Sequence, residues 1–369
     1  MLPLAFDSHL DLSFNALGYD RDQTLNIDEM CERESQMPEY DRQLVTVSLP
    51  EMRQSGFAMC LATLLARGTN RTPLNACPPK TSIDHGSCAI AHAMARGQLA
   101  YYELLETQGQ LRMIRDAKSL KAHWQLWQGA DDATQAKLPV GYILAMEGAD
   151  PMTCPSEAEF WWNLGLRTAC LAHYGRGTYA YGTGEDGPLS ELGVELLKQF
   201  DDLGMILDLT HTNDTSWYQA YEKFQGRIYA SHNNCRALVE TKNNRQFTDD
   251  QIRLIVDRKG VIGIAADNIM LFPQYQPGQT DRKHISLSHM ADHVDHICQI
   301  AGNANHVAIG SDLDGGYSAR QCPHDLNTIA DLRKIGKILE DRGYSEADIA
   351  GFLGENWMTF FSEALPAGD

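Results

Sequence analysis

The chain has 369 residues and carries 49 Asp plus Glu against 31 Lys plus Arg. Its net charge of −18 repels phosphate backbones and anionic lipid surfaces, which disfavours nucleic acid as a partner. A composition 43% hydrophobic and 22% charged excludes a disordered chain, and the length suits one (β/α)8 TIM barrel with elaborated loops, a single domain over residues 1–369.

The first predicted strand begins at Leu4 and runs into Phe6-Asp7-Ser8-His9-Leu10-Asp11. Side chains alternate across a strand, so His9 and Asp11 face the same way there, as two ligands of one metal must; a helix would splay them. A second strand starts at Phe57, in the longest apolar run of the chain, Phe57 to Ala66. Residues 66–80, polar with several Pro and Gly, follow it and are expected over the strand ends as a lid or an ordinary loop. The third strand begins at Gly141 and ends in Glu147-Gly148. Phe160-Trp161-Trp162 then reads as helix packing.

Strands from Leu166, Met205 and Arg227 end in His173, His211 and His232 respectively, and strands from Gly260 and His306 complete a set of eight, the last ending in Asp312. Between them Leu192 to Leu203, Ser216 to Phe224, Asp249 to Val256 and Leu287 to Ile300 space apolar residues for one helix face. This alternation predicts a parallel sheet with helices outside it. His289, His293 and His296 share the last of these helices with an apolar stripe of Leu287, Met290, Val294 and Ile297, so they are assigned to its polar outer face and not to a metal.

Metal-competent residues thus stand at the carboxyl ends of six strands, the face on which (β/α)8 barrels carry their active sites. Four histidines, two or three carboxylates and no cysteine describe a site for one or two hydrolytic divalent ions, zinc foremost. Glu147 is the only Glu of the set, and its two oxygens suit it to bridge a pair of ions with a water or hydroxide between them. Nine cysteines without a Cys-x-x-Cys pair argue against a disulfide framework. The opening residues lack the regions of a signal peptide, and no stretch approaches the ~18 apolar residues of a membrane span. The expectation is a cytoplasmic protein with no membrane anchor.

At these residues the chain resembles the membrane dipeptidase family, peptidase family M19 of the amidohydrolase superfamily. The motifs are Asp7-Ser8-His9-Leu10-Asp11, Glu147-Gly148, Leu209-Thr210-His211, Ser231-His232-Asn233-Asn234-Cys235-Arg236-Ala237-Leu238 and Gly310-Ser311-Asp312-Leu313-Asp314-Gly315. The resemblance implies that His9 and Asp11 hold one Zn2+, that His211 and His232 hold a second, and that Glu147 bridges them. It implies an exopeptidase for dipeptides, often with a D-residue accepted at the C-terminal position, in which His173 polarises the scissile carbonyl and Arg245 grips the substrate carboxylate. Arg236 stays an alternative to Arg245. A homodimer is also implied, although no apolar stripe marks its interface.

Asp312 is expected to move a proton between the attacking water and the leaving amine, or to pair with the substrate's α-amino group. Asp314, two residues on, reads first as a structural cap. Two other functions are weighed: a dinuclear-metal amidohydrolase for another small amide, such as a β-lactam or N-acyl amino acid, and a catalytically silent metal-binding barrel.

Overall fold

The computed structural model describes residues 3–68, 82–239 and 244–368. Its eight principal strands start within two residues of the expected positions: β1 (Ala5–Leu10), β2 (Phe57–Leu65), β3 (Val140–Glu147), β4 (Leu166–Cys170), β5 (Ile206–Asp208), β6 (Ile228–Tyr229), β7 (Ile262–Ile264) and β8 (Val307–Ile309). All are buried along their whole length. That is why several of them, β2 above all, read as apolar runs without alternation.

β1 to β6 lie side by side in chain order, every pair parallel, in an α/β fold with a half-barrel sheet. β7 and β8 form a second parallel pair, linked to the β6 edge by a bridge between Ala230 and Ile262. Among the described residues no backbone ladder joins β8 to β1, and side chains span that gap instead. The Asp7 carboxylate accepts from the Ser311 N–H at 2.9 Å and from its hydroxyl at 2.5 Å. The Ser8 hydroxyl reaches the carbonyls of Ser231 at 2.5 Å and Ile309 at 3.1 Å.

Two glycines permit this approach. A Cβ on Gly263 or Gly310 would lie 1.9 Å from the Ser231 carbonyl oxygen and 2.9 Å from the other glycine's Cα.

One hydrophobic cluster, running from Leu4 to Leu365, fills the interior and the space beneath the helices. Helices start where a side chain satisfies an otherwise unpaired N–H: Ser190 accepts from Gly193, Asn213 from Ser216 and Thr248 from Gln251. The four periodic segments become helices Glu191–Leu203, Asp214–Lys223, Asp249–Asp257 and Leu287–Ala301. No helix among the described residues is long and apolar enough to cross a membrane.

Three expectations are modified. The strand Leu111–Met113, which pairs in parallel with the start of β3, was not foreseen, because the exposed Arg112 breaks its apolar segment. His293 is buried, not on an outer face: it lies three residues after Met290 and four before Ile297, on the same stripe, and its Nδ1 accepts from the Cys235 N–H at 3.0 Å. Trp161 packs in the core as expected, but Phe160 is exposed and stacks on His92. The proposed lid over 66–80 falls for the most part outside the described residues; Arg67–Gly68 and Asp84–His85, on either side of 69–81, pair as two-residue parallel strands.

Candidate metal centre

A common local geometry brings the candidate residues together. His173, His211, His232 and Asp312 each stand three residues beyond the last residue of β4, β5, β6 and β8. Glu147 ends β3, His9 is the penultimate residue of β1, and Asp11 follows β1 as the cap of the helix Leu12–Tyr19. His211 and Asp312 adopt the left-handed region, φ 63° and 59°, so at two of these ends the chain is bent sharply to turn a functional side chain inward.

Glu147 is the centre of the group. Its Oε2 lies 3.5 Å from His9 Nε2, while its Oε1 lies 3.0 Å from His211 Nε2, 3.4 Å from His232 Nε2 and 3.5 Å from His173 Nε2. His9 Nε2 is 3.7 Å from Asp11 Oδ2 and 3.8 Å from Asp312 Oδ1, and the His211 and His232 Nε2 atoms are 3.0 Å apart. Three overlapping trios have their donor atoms within 4.8 Å of one another: His9, Asp11 and Glu147; Glu147, His211 and His232; and His9, His232 and Asp312. The five expected ligands are all buried.

Neighbours hold these side chains. Thr63 donates its hydroxyl to Asp11 Oδ1. Thr183 Oγ1 lies 3.0 Å from His211 Nδ1, and Ser231 Oγ lies 2.9 Å from His232 Nδ1, leaving both Nε2 atoms aimed at Glu147. Asn15 donates to the carbonyls of both Asp11 and Asp314, at 3.0 and 2.9 Å, and so ties the ends of β1 and β8. Asp314 itself turns away from the cluster and accepts from the Thr46 and Val47 N–H groups at 3.1 Å, the structural role expected of it.

The electrostatics are those of a donor set built round positive charge. Burial holds His173, His211 and His232 well below the ordinary histidine range, with Arg245 adding to the effect, so they are neutral and able to coordinate. Burial opposes charge on His9 as well, yet the Glu147 and Asp11 carboxylates carry its pKa well above the ordinary value. Burial also raises Glu147 and Asp312; His9 opposes both shifts, and the mutual proximity of the carboxylates reinforces them. His9 Nε2 is buried with no hydrogen-bond partner. A buried unpartnered nitrogen facing three carboxylates fits a cation in its place, and the remaining donors, neutral imidazole and carboxylate without thiolate, fit zinc or a similar divalent ion.

The cluster opens into a cavity of about 530 Å³ lined by Asp11, Glu147, His173, His211, Arg245 and Asp312 among others. Arg245 is buried, with Nη1 donating to Asn233 Oδ1 at 3.2 Å and Nη2 to the His232 carbonyl at 2.9 Å. Arg236 does not line this cavity; it makes a two-pronged pair with Asp214, both bonds 2.8 Å. Sequence reasoning missed Asp267, which also lines the cavity and stands three residues beyond β7, the same offset as the four residues above. That offset was the available signal. Burial pushes its carboxyl up to about 6. Tyr174 and Tyr317 on the cavity wall were likewise unforeseen.

A family model described as membrane dipeptidase (peptidase family M19) matches residues 4–367. A Klebsiella pneumoniae protein known as the uncharacterized protein in the pqqA 5′ region is 31% identical over 178 residues, covering 48% of this chain and 62% of that protein. Dipeptidase aclJ of Aspergillus oryzae is 28% identical over 222 residues, 59% of this chain and 50% of that one. The matches therefore span half to three fifths of these curated relatives. Two solved structures align over whole chains and share the fold. The dipeptidase AC, a metallo peptidase of family M19, has TM-score 0.76 and 21% identity over 100% of both chains. A metallo peptidase from Rhodobacter sphaeroides, liganded with a phosphinate mimic of L-Ala-D-Ala, has TM-score 0.76 and 19% identity over 99% of this chain and 100% of that chain.

Proposed function

The chain belongs to the membrane dipeptidase family, peptidase family M19, and from that membership we propose that it is a dinuclear zinc dipeptidase. In this reading His9 and Asp11 hold one Zn2+, His211 and His232 the other, and Glu147 lies between them. The observation that carries it is the division of Glu147: one oxygen faces His9 and the other faces His211 and His232. A carboxylate so divided suits a bridge. All eight strands would form one closed barrel domain, with β8 meeting β1 through the Asp7–Ser311 contacts and not a ladder.

Bound zinc ions supply a polarised carbonyl and a water acidic enough to act as nucleophile near neutral pH. The protein's own groups do the rest. His173, neutral and 3.5 Å from Glu147, donates a hydrogen bond to the carbonyl oxygen as negative charge develops there. Asp312, on the rim of the cluster, takes the proton of the attacking water and returns it to the leaving amine. Arg245 offers a guanidinium fork to the substrate's free α-carboxylate, which confines cleavage to short substrates that end there. Arg236, engaged with Asp214, has no part in this reading. The eight free cysteines among the described residues support a reducing, cytoplasmic setting. A homodimer belongs to the same reading and is checked by sedimentation.

The test is a matched set of compounds on the zinc-loaded protein: L-Ala-D-Ala, its C-terminal amide, its N-acetyl derivative and a β-lactam. The expected result is turnover of the free dipeptide and at least hundredfold loss on amidation. Turnover of the N-acetyl compound or the β-lactam, with none of the dipeptide, would replace the dipeptidase with another amidohydrolase.

A further inference from the structure

Phe14, Tyr19 and Leu65 form a small apolar cluster, with Ile83 packed on it, separate from the main core. All four line the same cavity as Glu147 and Arg245. Phe14, Tyr19 and Leu65 are buried and Ile83 is half-buried, and among the described residues nothing lies over the apolar edge they turn to the cavity.

The polar groups nearest this wall are already engaged. The Tyr19 hydroxyl donates to Asp41, and the guanidinium groups of Arg21 and Arg42 lie over its ring at 4.7 and 4.6 Å. Arg67, on the same side, is held by Asp84 at 2.5 and 2.8 Å and donates to the Tyr174 carbonyl at 3.0 Å. Among the described residues, what remains on this side of the cavity is the Phe14 ring, edge-on to Tyr19 at 5.6 Å, with Leu65 and Ile83.

Position around the sheet assigns the wall to one end of the substrate. Arg245 follows β6, whereas Leu65 ends β2 and Phe14 lies on the helix after β1. β2 and β6 are four strand positions apart in the sheet, half-way round the proposed eight-stranded barrel. A dipeptide with its carboxylate on Arg245 and its scissile carbonyl at Glu147 and His173 would direct its N-terminal residue toward β1 and β2.

We infer that Phe14, Tyr19, Leu65 and Ile83 form the subsite for the side chain of the substrate's N-terminal residue, and that the enzyme selects dipeptides beginning with a large apolar residue. This rests on the dipeptidase reading above. A charged side chain there would lose its hydration against neighbours already engaged, Asp41 with the Tyr19 hydroxyl and Arg67 with Asp84. A residue lacking methylenes would leave the wall uncovered.

The test is a series Xaa-D-Ala, with Xaa Gly, Ala, Leu, Phe, Asp or Lys, assayed on the zinc-loaded protein and on Ile83→Ser and Leu65→Ala, each checked for zinc content and thermal midpoint. Leu and Phe are expected to exceed Gly in kcat/KM by roughly tenfold to a hundredfold, with Asp and Lys no better than Gly. The Leu-to-Gly ratio is expected to fall by about tenfold in Ile83→Ser, whose site is half-buried and tolerant, and in Leu65→Ala. A flat series, or an unchanged ratio in both variants, would overturn the inference and leave the dipeptidase standing. No turnover anywhere in the series would overturn the dipeptidase reading together with the inference.

Discussion

Asp312 is partly exposed, 15% at its side chain, as is His173 at 11%, whereas the expected ligands are buried, His9 at 2% and Glu147 at 4%. A ligand wants burial, but a group that exchanges protons with substrate and solvent needs access. Asp312→Asn keeps the shape and removes the proposed base, so zinc content is expected to stay at the wild-type level while kcat falls about 10²- to 10⁴-fold, as measured by metal analysis beside a dipeptide assay. Unchanged turnover would remove Asp312 from the chemistry.

A second residue-scale consequence lies away from the site. His123 is fully buried, its Nε2 against the Ala58 carbonyl at 3.0 Å, and burial lowers its pKa to about 4. The fold keeps it neutral, whereas the unfolded chain takes up the proton below pH 6.5. Its contribution is therefore full above pH 6.5 and is lost as the pH falls through 4, by about 3 kcal/mol in all. Urea melts at pH 7 and pH 4.5 are expected to show wild type losing about 2 kcal/mol more than His123→Gln between the two; parallel losses would contradict it. The residues that gather round Glu147 were visible in the sequence because most of them end or follow a buried strand segment, whereas Arg245 was expected only from the family resemblance. Asp267 was not visible, because Asp before Asn268-Ile269-Met270-Leu271 reads as the helix cap it also is.

At the scale of elements, the strands were legible because burial on both faces leaves a continuous apolar segment between polar ends. The link between the last strand and the first was not legible. It depends on Ser8 and Asp7 side chains and on two glycines more than 40 residues apart, a three-dimensional coincidence with no local pattern. Gly263→Ala tests this packing. Its Cβ would meet the Ser231 carbonyl at 1.9 Å and Ser8 Oγ at 2.6 Å, and backbone cannot give way as a flexible side chain can. A loss of about 2–3 kcal/mol is expected from urea unfolding, and a loss under about 0.5 kcal/mol would show the interior to be looser than described.

For the whole molecule, the metal centre is where stability and function meet. It draws on β1, β3, β5 and β6 and crowds carboxylates and imidazoles in one buried place. Ions that bind this arrangement and not the unfolded chain stabilise the fold by mass action, about 2.7 kcal/mol at a hundredfold excess over Kd. Chelation is therefore expected to lower the thermal midpoint by several degrees and readdition of zinc to restore it; an unchanged midpoint would separate metal from folding. Composition and length allowed a barrel but did not select the chemistry, which came from the order and spacing of the motifs. Substrate preference was out of reach from the sequence because Phe14, Tyr19, Leu65 and Ile83 meet only in the fold.

The central claim is that two metal ions share Glu147. The most direct measurement is a zinc titration of the chelated protein with dipeptide hydrolysis followed at each addition. Activity that rises to a plateau at two equivalents per chain is the expected result. A plateau at one equivalent, or hydrolysis that persists in the fully chelated protein, would contradict it.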